Sequence, residues 1–239
     1  MNPALQLKVL ISGGFSGAYE RLLPEFERTS GIKVATGSGA SQGAGPQTIA
    51  AQLARGVSAD VVILSREGLS ELIAANRIAA GTDVDLARVP IGVAVRAGTP
   101  KPDVGSVAAF KEALLKATIV AVPASTSGIW LTNDLFPRLG LSDQIKVKTM
   151  PRGTDVTRSL AVGDVDLAVL PVSEIVHAKD VDFAGAIAPE IQFVQVFSAA
   201  VVAGSGEIEA SKRLIGFLAS ARASEAIRKS GMEPLATPG

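Results

Sequence analysis

Three short stretches of this 239-residue chain concentrate hydroxyls and glycines where a strand gives way to a helix. The first, within "LISGGFSGAY", holds Ser12, Gly13, Gly14, Phe15, Ser16 and Gly17. The second holds Ser38, Gly39, Ala40, Ser41, Gln42 and Gly43, and the third Ser125, Thr126, Ser127 and Gly128. A βα turn so poor in side chains leaves backbone N–H groups open at a helix start, where partial positive charge collects. Added hydroxyls suit an oxyanion or a carboxylate held without a fixed counter-charge. Serine and threonine also cap helices at these positions, and that is the competing reading of each turn. Three glycine-rich examples in one chain weigh toward an anion seat.

Other residues extend or limit that chemistry. In "PRGTDVTRSL", Arg152 precedes a helix that Thr154 or Asp155 can cap. It is either a two-pronged clamp for a carboxylate or a solvated surface arginine. Phe15 and Trp130 adjoin the turns and either wall an organic ligand or pack in the core. Tyr19 falls on the apolar face of its helix and reads as packing. "GASQG" at Gly39 to Gly43 has the spacing of a hydrolase nucleophile elbow, but such a serine needs a histidine. The single histidine, His177, lies in "VSEIVHA", which reads as a surface helix. The turns lack the P-loop lysine, and none spells the dinucleotide fingerprint between a strand and a helix.

Composition excludes several classes of function. Lysine plus arginine equals aspartate plus glutamate at 23 each, so no basic surplus points to nucleic acid. With no cysteine and one histidine, thiolate catalysis, disulfides and His- or Cys-based metal sites are out, and no spaced carboxylate set suggests an oxygen-ligand site. Neither a protein-bound metal nor a cofactor is expected. No apolar run approaches a membrane span, so no direct membrane insertion is expected. "MNPALQLKV" lacks the features of a secretory signal. With Met1 native the expected location is the cytoplasm; with a signal segment replaced by Met1 it is the periplasm.

Strands and helices alternate along the chain. Leu7 to Ile11, Ile32 to Thr36 and Ala59 to Leu64 read as strands, and Tyr19, Leu22, Leu23 and Phe26 mark one face of a helix that Pro24 should kink. Pro46 suits a first helical position, with Gly56 as a stop. Further on come a helix near Gly68 to Ala75, a strand at Ile91 to Val95 and a helix at Val107 to Leu115. After these follow a strand at Ile119 to Val122, a helix at Gly128 to Leu139, a strand at Lys146 to Met150 and a helix at Asp155 to Val162. A strand at Val165 to Leu170, a long strand near Ile191 to Val202 and two closing helices complete the pattern. Such βαβ order predicts an α/β fold of mostly parallel sheets flanked by helices, with ligands at the carboxyl ends of the strands.

The residues carry a family resemblance along the whole length. "LKVLISGGFSGAYERLLPEFERTSGIKV", "GASQGAGPQTIAAQLARGVSADVVILS" and "IGFLASARASEAIRKSGMEPL" resemble the periplasmic molybdate-binding proteins and the wider class of bacterial extracellular solute-binding proteins. The resemblance implies a two-lobed type II periplasmic-binding-protein-like fold with a ligand cleft between lobes. Residues 1–87 and 197–239 would form the first lobe and 88–196 the second. It places the family's first-turn serine near Gly14, with Ser12 and Ser16 as substitutes, and the second-loop serine at Ser41. The small residue at the second lobe's helix start falls on Ser127, and a backbone donor near Val156 or Thr154. A family tyrosine aligns with Pro171, which has no hydroxyl, and the loop after Ser41 is longer. These departures suit an organic carboxylate better than molybdate.

Two functions follow as expectations. One is a solute-binding protein that closes on a small organic anion or oxyanion and delivers it to an ABC permease. The other is a cytoplasmic enzyme on the same fold, such as an isomerase or tautomerase of an unsaturated dicarboxylic acid. For that second function the sequence shows no well-placed general base.

Overall fold

The structure, a computed structural model, describes residues 5–235. Met1, on which the expected location turns, lies outside the described residues. In chain order the strands and helices begin with β1 (Gln6–Ile11), α1 (Gly13–Ser30), β2 (Lys33–Ser38), α2 (Ile49–Ala54), β3 (Val61–Ser65) and α3 (Arg66–Ala74). They continue with β4 (Val84–Val89), β5 (Ile91–Arg96), α4 (Val107–Lys116), β6 (Val120–Pro123), α5 (Thr126–Trp130) and α6 (Phe136–Arg138). The last are β7 (Val147–Met150), α7 (Gly153–Ala161), β8 (Leu167–Pro171), β9 (Val181–Ala186), β10 (Gln195–Val201), α8 (Ile208–Leu218), α9 (Ser224–Lys229) and β11 (Glu233–Pro234). The chain divides into two compact units, one running to Arg88 and resuming at Val196, the other Val89–Gln195.

The first unit is built on a sheet of order β11-β4-β10-β3-β1-β2. Strands β1, β2 and β3 are parallel and β10 runs against β3. All five residues of β3 are buried, as a parallel strand covered by helices on both faces requires. On one face Leu10, Val62 and Leu64 meet Ile49, Leu53, Leu69 and Leu72. Helix α1 runs unbroken through Pro24, which is exposed, so water can satisfy the carbonyl that loses its N–H donor. The α2 helix begins at Ile49 rather than at Pro46. Thr48 sets that start because its side chain accepts from the Ala51 N–H at 3.1 Å.

The second unit is built on a sheet of order β7-β6-β8-β5-β9. Strands β6, β7 and β8 are parallel, and β5 runs against both β8 and β9. Phe110, Leu114, Val122, Leu131, Leu135 and Phe136 belong to one core cluster. Ala121, Val156, Leu160, Ala168 and Leu170 belong to another. The helix expected over Gly128 to Leu139 starts at Thr126 and loosens into a π turn over Leu131–Leu135 just before Pro137, which has no N–H to give the ladder. The stretch around His177 is not a surface helix. A single 3-10 turn, Val172–Glu174, ends there in further turns, and His177 is exposed.

Candidate functional site

In the first unit the parallel strands β1, β2 and β3 deliver their carboxyl ends to one edge of the sheet. Ser12 follows β1 directly, and its N–H donates to the Ile63 carbonyl at 2.9 Å, which ties it to β3. It occupies the N-cap position of α1 but makes no side-chain cap, and its buried hydroxyl has no hydrogen-bond partner among the described residues. Ser16 turns back on its own helix, donating to the Gly13 carbonyl at 2.7 Å. The Phe197 ring fills the space a side chain at Gly14 would need. Phe15 is fully buried, 6.4 Å from the same ring.

Ser41 is also buried, and its hydroxyl accepts from the Ser65 N–H at 2.9 Å. That bond takes one lone pair and leaves the hydroxyl a proton to donate. Ser65 caps α3 by accepting from the Gly68 N–H at 3.1 Å. Gln42 donates to Glu71 at 2.5 Å.

In the second unit, β6, β7 and β8 likewise end on one edge, at Pro123, Met150 and Pro171. Ser125 is the N-cap residue of α5 without a side-chain cap, and Thr126, Ser127 and Gly128 behind it are buried. A side chain on Gly128 would collide with the Pro123 carbonyl, so the glycine lets the helix start lie against the strand end. Arg152 is the N-cap residue of α7, again with no side-chain cap. The cap expected from Thr154 or Asp155 does not form: both already lie inside the helix, where Asp155 pairs with Arg158 at 3.6 Å. Thr154 is exposed, and Pro171 is buried at the end of β8, in register with Ile91. Trp130 stacks on Phe193 at 5.1 Å and packs against the core.

One group at this edge escaped the sequence reading. Glu174 stands three residues past the end of β8, and its carboxyl lies against the first residue of α7. A Cβ at Gly153 would come within 2.6 Å of Glu174 Oε2, closer still to Oε1. The absent side chain at Gly153 is what admits the carboxyl. Burial alone pushes its pKa from the usual carboxylate range up to about 7, with no cation or donor offsetting the cost. A glycine opening α7 and an acid just past a strand were the only signals in the sequence. By contrast, burial pushes the Tyr19 hydroxyl up to about 12, and it shares a 2.7 Å hydrogen bond with Thr36. Among the described residues, no group of three or more acidic or histidine side chains could hold a metal ion, and no helix is long and apolar enough to cross a membrane.

A family model described as bacterial extracellular solute-binding protein matches residues 7–233. The chain belongs to that family. Its sequence is 36% identical over 234 residues to an aconitate isomerase from a Pseudomonas species, covering 98% of this chain and 89% of the relative. The periplasmic molybdate-binding protein of Azotobacter vinelandii has a similar fold, with a TM-score of 0.77 at 19% identity over 98% of this chain and all of that one. A Mycobacterium tuberculosis sulfate-binding protein gives a TM-score of 0.73 at 21% identity, over 97% of this chain and 87% of that one. An Agrobacterium tumefaciens binding protein in complex with agropinic acid gives 0.74 at 17%, over 98% and 84%. These likenesses establish the type II periplasmic-binding-protein fold. As a member of the solute-binding family, the chain binds a small ligand. In the first unit the start of α1 offers a buried hydroxyl; in the second, the starts of α5 and α7 offer N–H groups to oxygen atoms beside an arginine and a carboxyl whose pKa is raised to about 7.

Proposed function

We propose that this chain isomerises an unsaturated polycarboxylic acid of the aconitate kind. The observation that carries the reading is the near full-length likeness, at 36% identity, to an aconitate isomerase, which takes in every strand-end turn described above. The donor set suits the substrate. Carboxylates can be received by the N–H groups opening α5 and α7, with Arg152 supplying the positive charge. Moving the double bond requires only that a methylene proton leave one carbon while a proton arrives two carbons away. The intermediate anion spreads its charge into the substrate's own carboxylates, where oriented N–H dipoles stabilise it. No redox partner is involved.

A second reading, a receptor that hands its ligand unchanged to a membrane permease, is supported by the family model. The two separate in one experiment. The protein is incubated with cis- and trans-aconitate and with related mono-, di- and tricarboxylates, and each mixture is followed by proton NMR. Conversion of one aconitate isomer into the other supports the isomerase. An acid that raises the melting temperature and is recovered unchanged makes the protein a receptor.

A further inference from the structure

We propose that Glu174 is the catalytic base, taking the methylene proton of the bound acid and returning it to the far carbon of the three-carbon unit. This assignment rests on the isomerase reading above. The electrons balance within the substrate. The C–H pair becomes the new double bond, the old double bond's pair takes up the proton, and Glu174 ends in the ionisation state in which it began.

The geometry supports the assignment in three ways. Glu174 stands at the same edge of the sheet as Ser125 and Arg152, because β6, β7 and β8 are parallel and all end there. The bare Gly153 lets its carboxyl lie over the start of α7, beside the N–H groups that suit a substrate carboxylate. The carbon to be deprotonated is next to such a carboxylate, so a base in this position needs no long reach. Finally, no hydrogen bond or ion pair engages the carboxyl among the described residues, so both oxygens are available. They are spaced much as the two ends of the allylic unit are, which lets one group serve both carbons.

Other titratable groups are worse placed. Tyr19 is committed to Thr36, and its proton is held too tightly to be released near neutrality. His177 is exposed in the turns beyond Glu174. Glu67, in the first turn of α3 in the other unit, has one buried oxygen without a hydrogen-bond partner among the described residues and is the serious competitor.

The test compares wild type with E174Q, E174D and E67Q, using cis- and trans-aconitate as substrates. E174Q is expected to lower kcat about a thousandfold, within the range typical of losing a general base, while trans-aconitate binding by calorimetry stays within tenfold. E174D keeps a carboxyl set back by one methylene; it should retain measurable turnover, with the acid limb of its pH profile displaced from that of wild type. If E174Q does not fold, E174D carries the test alone. A wild-type protein that isomerises aconitate while E174Q or E174D keeps its rate and pH profile overturns the assignment. So does loss of turnover in E67Q alone. A wild-type protein that binds aconitate without converting it refutes the isomerase reading itself, a result distinct from the other two.

Discussion

The two sheets present the same edge in different chemical dress. In the first unit most strand-end hydroxyls are engaged: Ser41 receives the Ser65 N–H, Ser65 caps α3, and Ser16 bonds within α1, while Ser12 and one Glu67 oxygen have no hydrogen-bond partner among the described residues. The cation there, Arg66, pairs with Asp83 at 2.8 Å and also with Asp85. In the second unit α5 and α7 start without side-chain caps, and Arg152 and Glu174 stand beside them. One topology has produced a hydroxyl-rich edge in one unit and, in the other, an edge that sets an arginine beside a carboxyl with a raised pKa. A receptor would need no such carboxyl. Under the proposed isomerase reading, the difference would put the chemistry in the second unit.

The largest expected effect tests whether Glu174 is desolvated as described. The folded protein keeps its proton until about pH 7, whereas the unfolded chain releases it near 4.5. Between those values the folded state holds more protons, so stability falls as pH rises and levels off above 7. The full penalty is up to about 3 kcal/mol, since each pKa unit is worth about 1.4 kcal/mol. Urea unfolding at pH 5 and pH 8 should show this loss in wild type and not in E174Q, which should be the more stable protein at pH 8. An equal slope in both would place Glu174 in water and erase the contrast between the edges.

Arg152→Met comes next. Hydrogen bonds to charged groups are worth about 1.5–3 kcal/mol, so affinity for a tricarboxylate should fall roughly thirtyfold, with a smaller loss for a monocarboxylate. Calorimetry showing no preference would return Arg152 to the surface role that the sequence also allowed. For Ser41→Ala the expected loss is first one of stability. The Ser65 N–H would be left buried without its acceptor, at a cost of about 1–3 kcal/mol, read as a lower urea midpoint. Ligand affinity should fall as well, because the same hydroxyl carries the proton to donate.

The sequence revealed the architecture better than the chemistry. Continuous apolar runs such as Val61–Ser65, and turns rich in glycine and serine, announced the βα order and where the strands end. Strands β4 and β9 went unread because both are only partly buried, and their acidic and small residues break the apolar run. The long strand expected near Ile191 to Val202 begins only at Gln195, after a 3-10 turn at Pro189–Ile191. Residue type singled out Ser12, Ser41 and Ser125 as candidates but could not distinguish a cap from a donor. That depends on the conformation of the chain two or three residues on. Glu174 was least legible of all. Its unusual proton affinity arises from tertiary burial and from a glycine 21 positions earlier in the chain, and nothing in "LPVSEIV" records either.

Ser12→Ala should have the smallest effect and separates cap from donor most cleanly. If Ser12 were a working N-cap, its removal would cost about 1 kcal/mol, as replacing the capping Thr48 by alanine should. The Ser12 hydroxyl is instead buried with no hydrogen-bond partner among the described residues, so the free protein already bears the cost of its desolvation. Alanine removes that cost. The urea midpoint of the ligand-free variant should therefore match or slightly exceed that of wild type. Binding should move the other way, weakening about fivefold if the hydroxyl finds its partner in the ligand, the value of one ordinary hydrogen bond. A variant less stable than wild type, with unchanged affinity, would make Ser12 a cap after all and remove it from ligand binding.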